Sequence, residues 1–261
     1  MRKLIELPFD ADNYHNGEAV TENNISPEYF FELNAQLSKK EPGEILQWGF
    51  RYFGKDMVIG TGFGPSGMLL IHKRVTQNIP VTIFYLDTSL LFTETYRLRD
   101  ELEERFDIKI TAVRGLSLDE QAEKYGDELW KSDPDKCCHL RKVLPLQRYL
   151  SDKKAWVTGV RRSQSGTRSQ TNIIEWDPAN RVVKINPLAK WTDEEVWNYI
   201  REHELPYNPL HDDGYPTIGC IPCTEPADPK EDVRSGRWQN LEKTECGIHI
   251  PSQNFQNGNS E

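Results

Sequence analysis

Nothing in the sequence approaches the roughly 20 consecutive apolar residues that a membrane-spanning helix needs. The start of the chain, residues 1–10, carries two basic residues but breaks its apolar run with acids and a proline and has no small-residue cleavage site, so it does not read as a secretory signal. Basic residues are outnumbered, 32 Lys and Arg against 41 Asp and Glu, a net charge of -9 that excludes a general nucleic-acid binder. Cysteines are few, five in 261 residues, and the cytoplasm, the compartment this sequence suggests, keeps thiols reduced, which argues against a disulfide framework. Internal repeats and low-complexity tracts are missing as well. The G-x-x-x-x-G-K-[ST] and G-x-G-x-x-G fingerprints of ordinary nucleotide sites are also absent.

What is present is an alternation. Residues 1–25 are polar with little periodicity and read as an arm. Ser26-Pro27 reads as an N-cap with proline at the first helical position, followed by Tyr29, Phe30, Leu33 and Leu37 on one helical face. A second helix is predicted over 42–53. Apolar runs at 57–59, 81–86, 108–113 and 155–158 then read as buried strands, with helical spacing between them, as over 93–106. That pattern predicts an α/β fold, a mostly parallel sheet flanked by helices. Segments 171–176 and 182–185 suit a hairpin around Asp177-Pro178-Ala179-Asn180, and Thr192-x-x-Glu195 is a capping box that opens a further helix. The organisation expected is an arm over 1–25, one α/β domain over 26–225 and a flexible C-terminal segment over 226–261.

In parallel sheets ligands sit beyond the carboxyl ends of the strands, which directs attention to residues 61–67, 87–92, 114–116 and 159–168. The first of these, Thr61-Gly62-Phe63-Gly64-Pro65-Ser66-Gly67, has the outline of a phosphate cradle, glycines for close backbone approach and a helix N-terminus behind them. The same residues also suit a plain turn between strand and helix. Arg161, Arg162 and Arg168 lie in a Ser/Gly loop, Arg234 and Arg237 flank a second basic cluster with Trp238, and Arg141 and Lys142 follow the paired cysteines. An acidic protein assembles a local anion site in this way, although solvated surface arginines have the same spacing.

Cys137-Cys138 and Cys220-x-x-Cys223 provide four thiols, a soft-ligand set suited to zinc or to an iron-sulfur cluster, with buried free thiols the remaining alternative. Adjacent helical residues point about 100° apart, which strains a mononuclear site more than a cluster with several irons. Cys246 stands alone in a polar segment beside Lys243 and His249, a setting that favours thiolate and nucleophilic attack if the thiol is not merely incidental.

Taken together, these segments resemble the assimilatory sulfonucleotide reductases, in the adenylyl-sulfate (APS) reductase branch. The pieces that carry the resemblance span residues 60–249 in family order. They are Phe63-Gly64-Pro65-Ser66-Gly67, Leu86-Asp87-Thr88-x-x-Leu91-Phe92-x-Glu94-Thr95-Tyr96 and Cys137-Cys138-x-x-Arg141-Lys142-Val143-x-Pro145-Leu146. Further on come Gly159-x-Arg161-Arg162-x-Gln164-Ser165-x-Thr167-Arg168, Gly214-Tyr215-Pro216-x-Ile218-Gly219-Cys220-x-x-Cys223-Thr224, Arg234-x-Gly236-Arg237-Trp238 and Lys243-Thr244-Glu245-Cys246-Gly247-Ile248-His249. Two places depart from the family: the phosphate loop is less acidic, and Ser89-Leu90 stands where relatives more often carry Gly-Arg.

The resemblance implies an adenine-nucleotide α-hydrolase-like fold, one four-iron four-sulfur cluster on Cys137, Cys138, Cys220 and Cys223, and no flavin or nicotinamide. It implies that Cys246 is the nucleophile on a mobile C-terminal segment. It places the nucleotide against Gly62, Phe63, Gly64, Ser66, Gly67, Leu86, Gly159 and Arg161, and the phosphosulfate among Lys142, Arg168, Arg234, Arg237 and His249. The implied partners are adenylyl sulfate and a thioredoxin or glutaredoxin-like reductant, with no nucleic acid or membrane; homo-oligomerisation is left open. Reduction of the 3'-phosphorylated relative PAPS is the near alternative, and relatives devoted to PAPS generally lack the four-cysteine set. An ATP pyrophosphatase-type enzyme is disfavoured by the missing S-G-G-x-D-S loop, and a zinc-stabilised binding module without catalysis is the alternative of another class.

Overall fold

Strands form where the apolar runs were predicted. In the computed structural model, which describes residues 27–227, 234–239 and 243–249, six strands make one sheet: β1 Met57–Gly60, β2 Thr82–Asp87, β3 Ile110–Arg114, β4 Ala155–Val157, β5 Ile174–Asp177 and β6 Val182–Ile185. Their order is β3-β2-β1-β4-β6-β5. All neighbours pair in parallel except β5, which runs antiparallel to β6 at the edge and closes the predicted hairpin. The arm expected over 1–25 and the N-cap expected at Ser26 lie outside the described residues, as do 228–233, 240–242 and 250–261 of the C-terminal segment.

Alternation along each strand divides the core between the two faces of the sheet. Met57, Ile59, Ile83, Tyr85, Val157 and Ile185 face the larger cluster. There they meet α1 Pro27–Leu37, α2 Pro42–Phe53, α3 Pro65–Thr76 and α4 Thr93–Phe106. Val58, Phe84, Val113, Trp156 and Val182 point the other way, onto Leu146 and Leu150, with Ile248 of the C-terminal segment against the same cluster. Short helices α5 Leu118–Tyr125, α6 Leu129–Ser132 and α7 Pro134–Cys138 lead into a π-helical turn, His139–Val143, and α8 Leu144–Leu150. At that turn the Leu144 N–H bonds back to His139 O, and Pro145 has no N–H with which to continue the ordinary ladder. Finally α9 Asp193–Glu202 starts at the predicted Thr192/Glu195 capping box and packs on α3.

The chain moves outward from β1 through β2 to β3 on one side and from β4 to β6 on the other, so the direction reverses between β1 and β4. That reversal is where a parallel sheet opens a crevice at its carboxyl edge. Gly60 at the end of β1 is required there, because a Cβ on it would lie 2.5 Å from Trp156 Nε1. Among the described residues no helix is long and apolar enough to cross a membrane.

Candidate active site

A cavity of about 740 Å³ occupies the crevice, within the size range of small-molecule sites. Three of the four strand ends singled out from the sequence contribute to it, those of β1, β2 and β4. Residues 114–116 do not, because β3 lies at the sheet edge, separated from the reversal by β2 and β1. Arg114 instead turns to Asp87, donating from Nε to Oδ2 at 2.8 Å. Asp87 also accepts from Tyr96 OH at 2.7 Å and Ser89 N at 3.0 Å. Burial would raise this carboxyl, but the bonds from Tyr96, Ser89 and Arg114 outweigh it and hold Asp87 below its ordinary value.

The loop after β1 is shaped by close contacts. Gly64 precedes α3 in extended conformation, and Pro65 fits the first turn, where an N–H has no helical partner. A Cβ on Gly67 would meet Thr61 Oγ1 at 2.4 Å, and one on Gly159 would meet Ser66 Cβ at 2.9 Å. Gly62 and Gly64 face open space, leaving backbone and helix N-terminus accessible to an anion. Phe63 departs from the expectation that placed it against the nucleotide. Its ring lies in the core, 5.1 Å from that of Tyr85, and its side chain does not line the cavity. An aromatic in a Gly-rich loop is ambiguous in sequence, and burial beside Tyr85 of β2 takes this one into the larger core cluster.

Of the other residues expected at the substrate, Gly62, Gly64, Ser66, Gly67, Leu86, Lys142, Gly159, Arg161, Arg168, Arg234, Arg237 and His249 all line the cavity, and so does Cys246. Arg161 is buried, with Nε donating to Ser66 Oγ at 3.0 Å and Nη2 paired with Asp193 at the start of α9. Two arginines of the anion set read from the sequence are elsewhere. Arg141 is buried as a brace, donating to Gln121 Oε1 at 2.7 Å and Thr88 O at 2.7 Å, and Arg162 donates to Thr171 O at 2.7 Å. Adjacent basic residues look alike in sequence; the π-helical turn sends Arg141 into the protein and Lys142 to the cavity.

The four paired cysteines come together from two distant segments. Cys137 and Cys138 end α7; Cys220 caps and Cys223 ends a 3-10 turn, Ile221–Cys223, tied to the loop after β2 by Ile221 N donating to Leu90 O at 2.7 Å. Thr88 Oγ1 lies 3.2 Å from Cys220 Sγ. Burial pushes the Cys137 thiol up to about 12 and Cys138 to about 11, and the sulfurs of Cys138, Cys220 and Cys223 reinforce the rise at Cys137. Cys220 moves the other way: burial opposes it, but Lys142, the Thr88 hydroxyl and Arg237 lower it. Lys142 is enclosed by protein yet open to the cavity. Burial would depress its ammonium, and the sulfurs of Cys220, Cys246 and Cys138 raise it instead. Among the described residues no three or more Cys, His, Asp or Glu are arranged to hold a single metal ion. As chemistry, four thiols, with the sulfurs of Cys138, Cys220 and Cys223 all within electrostatic reach of Cys137, fit a soft-ligand group.

The C-terminal segment 243–249 lies over the cavity. Ile248 packs on the second core face, and the His249 ring stacks on Trp156 at 5.3 Å and 13°. Burial, together with Lys184, Arg168 and Arg234, pushes the His249 imidazole well below its ordinary value, so it is neutral here and lends Cys246 no charge. Lys243 is engaged by Asp135. Lys142 and Arg234 are cations that share their field with Cys246. Glu245, singled out by no sequence argument, is buried and accepts from Arg168 Nε at 3.0 Å, Arg168 Nη2 at 2.9 Å and Arg234 Nη2 at 3.1 Å.

Residues 56–226 match the phosphoadenosine phosphosulfate reductase domain. The chain belongs to that family. A protein of Salinibacter ruber named adenosine 5'-phosphosulfate reductase is 55% identical over 219 residues, 83% of this chain and 87% of that one. A Staphylococcus haemolyticus protein of the same name is 44% identical over 234 residues, 88% of this chain and 96% of its own. Among solved structures, the phosphoadenylyl-sulfate reductase of Candida auris, crystallised as a phosphate complex, superposes with a TM-score of 0.71 at 31% identity, over 80% of this chain and 100% of that one. The FMN adenylyltransferase of Candida glabrata, at 14% identity and a TM-score of 0.51 over 83% and 76% of the two chains, shares the fold. The adenine-nucleotide α-hydrolase-like fold implied by the sequence is therefore the one adopted.

Proposed function

We propose that the protein reduces adenylyl sulfate to sulfite and AMP in sulfate assimilation, with Cys246 as the nucleophile. The observation that carries this reading is the position of Cys246 on the wall of the same cavity that holds the Gly-rich loop and Lys142, Arg168, Arg234 and Arg237. The names of the relatives at 44% and 55% identity favour adenylyl sulfate over its 3'-phosphorylated form. The Candida auris structure keeps PAPS as the second reading, and kcat/KM on the two nucleotides decides between them.

In this mechanism the loop 61–67 and the start of α3 receive the phosphate, Leu86 and Gly159 flank the nucleoside, and the cationic wall gathers the phosphosulfate oxygens. The Cys246 thiolate attacks the sulfur in line with the bond to AMP. A bond forms between Cys246 Sγ and that sulfur, the sulfur–oxygen bond breaks, and AMP leaves with the electron pair. Lys142 and the arginines stabilise the charge as it moves to the departing phosphate. One thiolate of a dithiol protein of the thioredoxin or glutaredoxin type then attacks Cys246 Sγ and expels sulfite, leaving a mixed disulfide. The second thiol of that protein attacks its own bound sulfur, closes the disulfide and releases the Cys246 thiol, the dithiol supplying both electrons. A four-iron four-sulfur cluster on Cys137, Cys138, Cys220 and Cys223 belongs to the same reading; bound there, it would supply fixed charge and architecture beside Lys142. The cytoplasm, where thiols stay reduced, suits this chemistry.

Incubation with adenylyl sulfate labelled in the sulfate, without reductant, tests the reading. Mass spectrometry is expected to find one sulfonate on the Cys246 peptide with stoichiometric AMP; AMP release at the parent rate from Cys246→Ser overturns it. Iron and zinc analysis of the same protein, with absorption near 400 nm, separates a cluster from a zinc-stabilised module.

A further inference from the structure

Glu245 precedes the nucleophile directly, and its carboxylate takes three charge-assisted bonds from two arginines. Arg168 grips it with Nε at 3.0 Å and Nη2 at 2.9 Å, and Arg234 Nη2 reaches Oε2 at 3.1 Å. The Thr167 hydroxyl lies 3.4 Å from Oε1. The Glu245 side chain is 3% exposed, against 13% for Arg168 and 15% for Arg234, so these contacts are shielded from the screening that makes surface pairs weak. Arg234 also donates to Thr244 O at 2.9 Å, which fixes the backbone one peptide earlier. Segment 243–249 has no regular secondary structure. It cannot hold itself in place through a backbone ladder, so its position over the cavity rests on side-chain anchors.

We infer that Glu245 is a positioning residue: by clamping onto Arg168 and Arg234 it docks the segment that aims Cys246 into the cavity. This rests on the reading of Cys246 as the nucleophile. Glu245 reaches the reaction only through the two arginines and through its neighbour Cys246. Both arginines also line the cavity, and three of the five N–H donors of Arg168 are taken, two by Glu245 and one by Gln164. Neutralising Glu245 therefore has opposite effects on two steps. The segment loses its clamp and Cys246 spends less time aimed at the substrate, while the cationic wall, relieved of a carboxylate, attracts an oxyanion at least as strongly as before.

The experiment compares Glu245→Gln and Glu245→Asp with the parent holoenzyme. Without nucleotide and at fixed pH, peptide-resolved iodoacetamide labelling of Cys246 is expected about tenfold faster in Glu245→Gln, the factor that accompanies loss of one charge-assisted hydrogen bond. In turnover of adenylyl sulfate, kcat is expected to fall about 10- to 100-fold, the scale of a misplaced reacting group, with KM unchanged or lower. Glu245→Asp, which keeps the charge, recovers part of both. Unchanged labelling with unchanged kcat overturns the clamp. So does a KM that rises in step with the loss of kcat while Glu245→Asp fares no better than Glu245→Gln, because that is general damage to the site. The labelling needs no catalysis: faster labelling in a protein whose parent turns over neither nucleotide leaves the clamp standing and removes the functional reading. Parent-like labelling in Glu245→Gln, with normal adduct formation on Cys246, does the reverse.

Discussion

The Thr88 hydroxyl lies 3.2 Å from the Cys220 sulfur, joining the end of β2 to a segment that follows it by more than a hundred residues. The same oxygen accepts from Leu90 N at 3.3 Å. Thr88→Val keeps the shape and removes the hydroxyl, and urea unfolding is expected to show a loss of about 1–2 kcal/mol, that of one or two buried bonds. No change in the midpoint would mean that neither bond is made in solution.

Gly159 sits where a Cβ would lie 2.9 Å from Ser66 Cβ and 3.6 Å from Gly67 N. Gly159→Ala should push the loop 61–67 off its path without disturbing the distant core. AMP affinity, measured by calorimetry, is expected to fall at least about tenfold, on the scale of overpacking, with little change in Tm. Affinity equal to the parent would show that the loop does not hold the phosphate.

Ser89 adopts φ 58, in the left-handed region that favours glycine. The sequence resemblance places glycine at this position in relatives, and the backbone supplies the reason. Ser89→Gly is expected to stabilise the protein by about 0.5–1 kcal/mol in thermal unfolding, the cost of a non-glycine side chain in that region. A destabilised variant would mean that the serine side chain contributes more than its strain costs.

His249 has a folded-state pKa well below its ordinary value, set by burial and by Lys184, Arg168 and Arg234. A released imidazole takes up a proton below about pH 6.5, whereas the docked one does not. Docking is therefore fully stable above that pH and weakens as pH falls through and below it. Proteolytic nicking of the C-terminal segment should accelerate between about pH 6.5 and 5.5, and His249→Phe, which keeps the stack on Trp156, should flatten the profile. A parent profile that is flat over this range contradicts the docked, neutral imidazole.

The sequence by itself determined the layered fold. Continuous apolar runs and period 3.6 are local consequences of burying both faces of a strand or one face of a helix, so β1 to β6 and the helices 42–53 and 93–106 lie where the pattern puts them. The cysteines and the Gly-rich loop were also legible, because their chemistry is unusual at any position. Direction was not. Phe63 entering the core, Arg141 bracing Thr88 while Lys142 reaches the cavity, and Arg114 turning to Asp87 depend on which neighbours a side chain meets after packing. Glu245 entered the sequence reading only as part of the matched segment around Cys246, with no role of its own, for the same reason: its significance appears only when Arg168, 77 positions earlier, is folded against it. Periodicity is written in neighbours along the chain, whereas charge pairing across a cavity is decided by contacts that only the tertiary structure brings together.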